Sequence, residues 1–544
     1  MEKTIELQTL DEEVLHCRRN ASVSESKAAS DLDQDRRELA RVGKKQVLKR
    51  RFGLVSMTGL SCGLMCTWES LIVTKLASGG PAGLLYGFML VWLGNLSVFT
   101  VIGELSSAMR QYHWVSLLAP RSSKKFFSYI TGWLTVIGWI AALTAVCFFV
   151  ADLSLQLVTL NEETFHREGW HGTLILWGCL ILCVFINIFV SGALPAIEVV
   201  VLIIHILGFF GLLIPLVYLT PMHNSAKDIF TTFHNGGSWN SVPLAFFIGL
   251  QGNALCFVGT DSAVHMSEEV KNASRDVARS MLLSLFINGC LALGMLCAIL
   301  FSAPGLMDLP PTDPPSFVEG FVNAVGSTAG ATVMTSIIIA LEFCSALGCL
   351  AAASRMTWSF ARDRGLPFSR LISLVDQRTT IPVIAIILVT VCSAVLGLIN
   401  LGNYYAFNGI VSMVLEGFYI SYLLAIGLLL WRRLRGDLDE EAPSTTTSFI
   451  LPSAIDTFEH HLCWGPWRLR GALGTANNVF ACCYLLLLIV FSFWPATVNI
   501  SDLTSMNWSV LVVGFVMLFS VGYYMVWARK IYTGPIIEVN LHTL

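Results

Sequence analysis

The sequence predicts an all-α integral membrane protein with twelve transmembrane helices, and three observations carry that prediction. The chain has 544 residues and is 55% apolar but only 13% charged, about half the charged fraction of an average soluble domain, too little to cover a soluble surface of that size. The apolar residues gather into runs of about 20, the length a helix needs to cross a hydrocarbon core of about 30 Å. Those runs lack the ten-residue alternation of a barrel strand, and in lipid only helices and closed barrels satisfy their own backbone.

Residues 1–40 mix charges with serines and read as a disordered tail. They are polar, so no cleavable signal peptide is expected. Residues 41–51 form a basic juxtamembrane segment with Arg41, Lys44, Lys45, Lys49, Arg50 and Arg51. Such a segment sets topology and touches anionic lipid; a regulatory partner site is the alternative. The spans follow at 52–76, 81–106, 127–157, 171–191, 195–219, 242–265, 281–303, 330–358, 381–400, 405–430, 475–497 and 506–530. A short external helix is expected at Phe317 to Ala324, before the eighth. The first five spans (52–219) and the next five (242–430) make two units. A loop (431–474), two further spans (475–530) and a tail (531–544) complete the chain. With both termini in the cytoplasm, 31 of the 34 Lys and Arg fall on that side, as the positive-inside rule requires. Asn499-Ile-Ser501 then lies outside as a glycosylation candidate, whereas Asn20 and Asn272 lie inside.

Composition also excludes partners. The net charge of −3 supplies no basic stripe for phosphate, so no nucleic acid is expected. The 15 cysteines show neither a CxxC pair nor zinc spacing, and read as small membrane-core residues rather than disulfides. No metal or cofactor is expected. The chain also lacks a HExxH helix, and its one Gly-x-Ser-x-Gly spacing, Gly59 to Gly63, lies inside an apolar span rather than at a strand-to-helix elbow, so no enzyme is expected.

Two glycine clusters stand out. The first span reads Gly53-Leu-Val-Ser-Met-Thr-Gly59-Leu-Ser61-Cys62-Gly63, and the sixth Gly249-Leu-Gln-Gly252-Asn-Ala-Leu-Cys-Phe257-Val-Gly259-Thr260-Asp261. Glycine clusters serve either close helix packing or helix breakage. Matched positions at the head of each five-span unit favour breakage, which is where transporters with inverted repeats bind their cargo. Three carboxylates lie deep in the spans: Glu69, Glu342 and Glu416. No Lys or Arg lies at that depth. Each is either a neutral acid bonded to a neighbouring helix, or the counter-ion of a cation or proton. Trp68, beside Glu69, is a core or interface residue, or else an aromatic face for a quaternary ammonium. His205 reads as a satisfied core histidine, with proton relay as the alternative.

Four further segments, in order, carry a resemblance. They are Leu39-Ala-Arg-Val-Gly-Lys-Lys-Gln-Val-Leu-Lys-Arg-Arg-Phe-Gly53, Gln111-Tyr-His-Trp-Val-Ser-Leu-Leu-Ala-Pro120, Gly259-Thr-Asp261-Ser-Ala-Val-His265-Met-Ser-Glu268-Glu269-Val-Lys-Asn-Ala273 and Ser354-Arg355-Met-Thr-Trp-Ser-Phe-Ala-Arg362-Asp363-Arg-Gly365-Leu-Pro367. From about Leu39 to Val539 the chain resembles the amino acid–polyamine–organocation (APC) superfamily, in its fungal amino acid/choline permease branch. The resemblance implies a LeuT-like fold, two inverted five-helix repeats plus two extra helices. It also implies import of amino acids, choline or related amines, usually driven by protons. By the family pattern Ser61, Cys62 and Gly63 would hold a substrate carboxylate or another polar group, and Phe257, Val258, Gly259 and Thr260 the amine. Asp261, His265, Glu268 and Glu269 would be conformational, with Lys271, Arg275 and Arg279 near enough to pair with them. Glu342 and Glu416 join Asp261 and His265 as candidates for proton coupling. Three departures mark this chain. Thr260 stands where many relatives place an aromatic gate. Glu104 to Arg110 runs into Gln111 without the usual Pro-Thr-x-Gly-Gly stretch. Glu416 replaces a small polar residue.

The expected function is therefore secondary active import of an amine-bearing small molecule such as choline, an amino acid or a GABA-like compound. The expected partners are that substrate, protons and the lipid bilayer. The plasma membrane is the expected location, with a vacuolar or other internal membrane as the alternative. Transport of a secondary metabolite or its amine precursor, and a non-transporting nutrient sensor of the same fold, are the competing readings.

Overall fold

The computed structural model describes residues 47–70, 79–108, 113–162, 164–302, 317–401, 406–436, 467–495, 497–498 and 506–534. The expectations for the tail to residue 40, most of the basic segment, Asn499, the junction at Arg110 and Gln111, most of the 431–474 loop and the end beyond 534 lie outside the described residues.

Apolar sequence becomes helix almost everywhere. The order is α1 (Leu54–Met65), α2 (Thr67–Ser70), α3 (Gly80–Ala108), α4 (His113–Leu118), α5 (Lys124–Asn161), α6 (Gly169–Phe189), α7 (Leu194–Leu219), α8 (Ala226–Thr231), α9 (Val242–Leu255), α10 (Ser262–His265) and α11 (Ala273–Ser302). Then come α12 (Phe317–Val325), α13 (Thr328–Arg362), α14 (Ser369–Ile372), α15 (Val383–Gly397), α16 (Ala406–Arg435), α17 (Gly471–Ser492) and α18 (Ser509–Tyr523), which runs through a π-turn into α19 (Arg529–Ile531). Local chemistry sets several starts. Ser241 and Ser327 accept the amides of Leu244 and Gly330 as N-caps, and prolines occupy the first turns of α7 and α9, where no N–H is missed. Among the described residues nine helices are long and apolar enough to cross a membrane, and no strand forms beyond an isolated bridge. The protein is a multi-pass helical membrane protein.

The bundle is organised round α5, which packs on both α13 and α16. Of its most apolar window 83% is buried, against 17% for the last span, so α5 is core and α18 faces lipid. Glycine lets the central helices close up. A Cβ on Gly417 of α16 would lie 2.9 Å from the Leu134 carbonyl oxygen and the Gly138 Cα of α5. On another side α1 packs on α7, α11 and α13.

Two expected spans are interrupted, and one break is not where the glycines put it. The first helix continues through Ser61, Cys62 and Gly63 and ends at Met65. Cys66 then takes a left-handed conformation, φ 41° and ψ 48°. Gly63 serves packing instead: a Cβ there would meet Val201 Cγ1 of α7 at 2.7 Å. The sixth span breaks where expected, between α9 and α10, with Gly259 at φ 92°, a region costly for any residue with a Cβ. The segments flanking the two breaks are tied together on the basic face of the bundle. The amides of Arg51 and Phe52 donate to the Glu269 carbonyl at 2.8 and 3.0 Å, and Lys271 N donates to Phe52 O at 2.9 Å. The external helix expected at Phe317 to Ala324 is α12.

The α5–α16 crossing gives a direct test. Gly417→Ala forces overlap with main chain and should cost about 1–3 kcal/mol, read as a lowered apparent melting temperature of the detergent-solubilised protein. Gly427→Ala, on the same helix with nothing within 4 Å of the added carbon, should not lower it. Equal melting temperatures for the two variants would refute the close crossing.

Candidate functional site

A helix that stops inside the membrane frees backbone carbonyls that lipid cannot satisfy. At the end of α1 three successive carbonyls each receive a different side chain. Asn288 Nδ2 of α11 donates to Cys62 O at 3.1 Å. The Cys66 thiol donates to Gly63 O at 2.9 Å. Ser345 Oγ of α13 donates to Leu64 O at 2.7 Å. At the second break Thr260 Oγ1 donates to Phe257 O at 2.8 Å. The breaks face each other: Ser61 Oγ lies 3.3 Å from Ser262 Oγ, and a Cβ on Gly259 would collide with Leu64.

Between the breaks lies a cavity. Its free space for water centres is about 50 Å³, several times the roughly 10–15 Å³ that one water needs, so it suits a few waters or one small solute. The first break contributes Leu64, Met65, Cys66 and Ser70, and the second Leu255 and Val258. From α5 come Ala142, Ala145, Val146 and Phe149, from α13 Glu342, Ser345 and Cys349, and from α16 Val414. The α5 set follows the i, i+3, i+4, i+7 spacing of one helix face, and the α13 set the i, i+3, i+7 spacing. Glu342 is the one carboxylate in this lining, and no Lys, Arg or His accompanies it. Its Oε1 accepts from Ser70 Oγ at 3.3 Å.

The expected site residues divide. Val258 and Glu342 line the cavity. Ser61, Cys62, Gly63, Trp68, Glu69, Phe257, Gly259 and Thr260 do not. Glu69 is the main correction. It sits beside Ser70 on α2, one helical step of about 100° away, and points to a different side. There its Oε1 lies 2.7 Å from His205 Nδ1 of α7, and His205 Nε2 lies 2.9 Å from Asn288 Oδ1 of α11. Both ionisable side chains are fully buried. A base therefore does lie at the depth of the acids, and it is His205. Trp68 is buried against His205 and Phe209, at ring distances of 5.6 and 6.0 Å, and offers no face to a ligand. Glu416 accepts from Ser509 Oγ of α18 at 2.7 Å, at a helix interface away from the cavity. Sequence reasoning passed over Cys66, Ser70, Ser345 and the buried Glu104 and Glu198. The spacing of Glu342, Ser345 and Cys349 on one face was the available signal for the α13 wall.

Beyond the cavity, toward the basic face, the residues after the second break form a polar plug. Trp139 Nε1 and Asp261 Oδ2 lie 2.8 and 2.7 Å from His265 Nε2. Phe418 packs edge-on to Trp139 at 5.2 Å. Glu268 pairs with Arg362 at 2.6 Å and Glu269 with Arg355 at 2.8 Å. The expected partners Lys271, Arg275 and Arg279 are replaced here by the arginines of α13, because that helix runs to Arg362 and brings its end under α10. A further buried pair joins Glu104 of α3 to Arg433 of α16 at 2.8 Å, with Leu469 N donating to the same carboxylate at 2.5 Å.

Comparison with known proteins agrees with this architecture. An amino acid permease family model matches residues 52–518. The chain is 29% identical to a putative amino acid/polyamine transporter of Macrophomina phaseolina, over 83% of this chain and 96% of the relative. It is 29% identical to the choline transporter of Saccharomyces cerevisiae, over 71% of this chain and 70% of that protein. It is 25% identical to the GABA-specific permease of Saccharomyces cerevisiae, over 92% and 85%. With matched coverage from α1 to α18 and a cavity between two broken helices, the chain belongs to the amino acid permease family of the APC superfamily, in its fungal amino acid/choline permease branch.

Proposed function

We propose that the protein is a proton-coupled secondary transporter that imports a small amine-bearing molecule, such as choline, an amino acid or a GABA-like compound, across the plasma membrane. The observation that carries this reading is Glu342, a carboxylate set in a small cavity whose lining offers no basic side chain. A buried charge without a partner is costly, and an ammonium or quaternary ammonium supplies the missing charge. Phe149 offers that cation an aromatic face, and the hydroxyls of Ser70 and Ser345 supply polar contacts. Two relatives are named for choline and GABA transport, and both compounds are amines.

Twelve crossings are part of the proposal. The nine long helices account for nine, and the broken pairs α1–α2 and α9–α10 together with α15 supply three. The breaks then head two five-helix repeats whose third members, α5 and α13, pack on each other, with both termini in the cytoplasm. In that frame the plug of Asp261, His265, Glu268 and Glu269 lies on the cytoplasmic side of the cavity and controls release.

Uptake of labelled choline, GABA and individual amino acids in permease-deficient cells tests the reading. Glu342→Gln should raise KM for the best cationic substrate about tenfold or more, a loss of at least about 1.4 kcal/mol. Glu416→Gln should stay within about twofold, under about 0.5 kcal/mol by the same conversion. An unchanged KM in Glu342→Gln at normal surface expression would remove Glu342 from the site. Absence of uptake for every compound, with the wild-type protein at the cell surface, would refute the nutrient-import reading.

Topology is tested separately. A single cysteine introduced by Lys227→Cys should react with an impermeant maleimide from outside the cell. One introduced by Arg435→Cys should react only after permeabilisation. The reverse pattern would invert the orientation.

A further inference from the structure

We infer that Glu69, His205 and Asn288 form a proton-holding site separate from the cavity, and that emptying this site must move α1 and α2. The inference rests on the reading of the protein as a proton-coupled transporter, but its geometry stands apart from the identity of the cargo.

The argument starts from a carbonyl. Cys62 O is an acceptor, so the group of Asn288 facing it at 3.1 Å is the amide nitrogen. That fixes the other end of the amide: Oδ1 faces His205 Nε2 at 2.9 Å. An amide oxygen only accepts, so His205 carries a hydrogen on Nε2. The other ring nitrogen, Nδ1, lies 2.7 Å from Glu69 Oε1. A bare nitrogen lone pair against a carboxylate oxygen at that distance is repulsive. A second proton therefore sits between them, on Nδ1 as an imidazolium–carboxylate pair or on Oε1 as an imidazole–carboxylic acid pair. Either placement leaves the pair with no net charge. Loss of the proton leaves one uncompensated negative charge and a repulsive contact between side chains with no solvent exposure. An uncompensated charge in so dry a place is not tolerated, so the pair either keeps its proton or comes apart.

Coming apart has consequences for the cavity. His205 is on α7 and Asn288 on α11, and both helices pack on α1. Asn288 also holds the Cys62 carbonyl at the end of α1. Glu69 is on the four-residue α2, where its neighbour Ser70 lines the cavity and bonds Glu342. One short helix therefore carries the proton site on one side and a cavity hydroxyl on the other, and Glu69 cannot turn toward water without displacing Ser70. The other titratable groups within electrostatic reach of Glu69 are the thiols of Cys62 and Cys66 on α1, Cys256 at the second break and the Glu342 carboxyl of α13. The remaining walls are the rings of Trp68 and Phe209.

Glu69→Gln separates the site from the cavity. A glutamine amide N–H can donate to Nδ1, so this variant mimics the proton-loaded state and cannot release it. In proteoliposomes containing the full chain, the probes are choline and GABA, whichever the wild type carries. Accumulation driven by a pH gradient should fall about tenfold or more in Glu69→Gln. Exchange of labelled for unlabelled probe at equal pH, which needs no net proton release, should stay within about threefold. Glu342→Gln should lose both. Gradient-driven accumulation at the wild-type level in Glu69→Gln would overturn the inference.

A second measurement needs neither transport nor a stable variant at Glu69. Nitrogen-15 NMR of histidine-labelled wild type in nanodiscs, with the His205 signal assigned by its loss in His205→Gln, should show a hydrogen on Nε2 across pH 5–8. A hydrogen on Nδ1 alone, or titration like a free imidazole near about 6.5, would overturn the inference. If neither choline nor GABA is carried, the transport reading for those amines fails, and this measurement still decides the proton site.

Discussion

Everything at the centre of this molecule follows from one constraint: a helix cannot end inside a membrane without finding partners for its last carbonyls. The end of α1 meets that constraint with Asn288 of α11, Ser345 of α13 and its own Cys66. Those three contacts fix how the neighbouring helices stand round the break. They also explain why the cavity is where it is. Ser345 both caps Leu64 O and lines the cavity, so the group that stabilises the broken end is part of the wall.

Charge is distributed by the same economy. Glu69 is matched by His205, Glu104 by Arg433, Glu268 by Arg362 and Glu269 by Arg355. Asp152, near the far end of α5, is matched by Arg167. Glu342 receives only a serine hydroxyl. Glu416 likewise receives only a serine hydroxyl, but at a helix interface, so among these acids Glu342 is the one that borders the cavity.

The long helices were legible because hydropathy over about 20 residues does not depend on what they touch. The second break was also legible, because Gly259 adopts a positive φ and little else tolerates it. The first break was misplaced by three residues because glycine has two uses, and Gly63 is spent on contact with Val201. The direction of Glu69 was not legible at all. Its partner is 136 positions away in sequence, and no period within one helix reports a meeting between two. The α13 wall was half legible: Glu342 stood out as a buried acid, and the helical spacing of Ser345 and Cys349 placed both beside it.

The main-chain tie between Phe52 and Val270 has a mechanical meaning. It joins the approach to the first broken helix to the departure from the second by three backbone hydrogen bonds, which no substitution other than proline removes. The two arms are therefore coupled through their main chain. Moving either arm alone would break the tie, whereas moving both together would leave it intact.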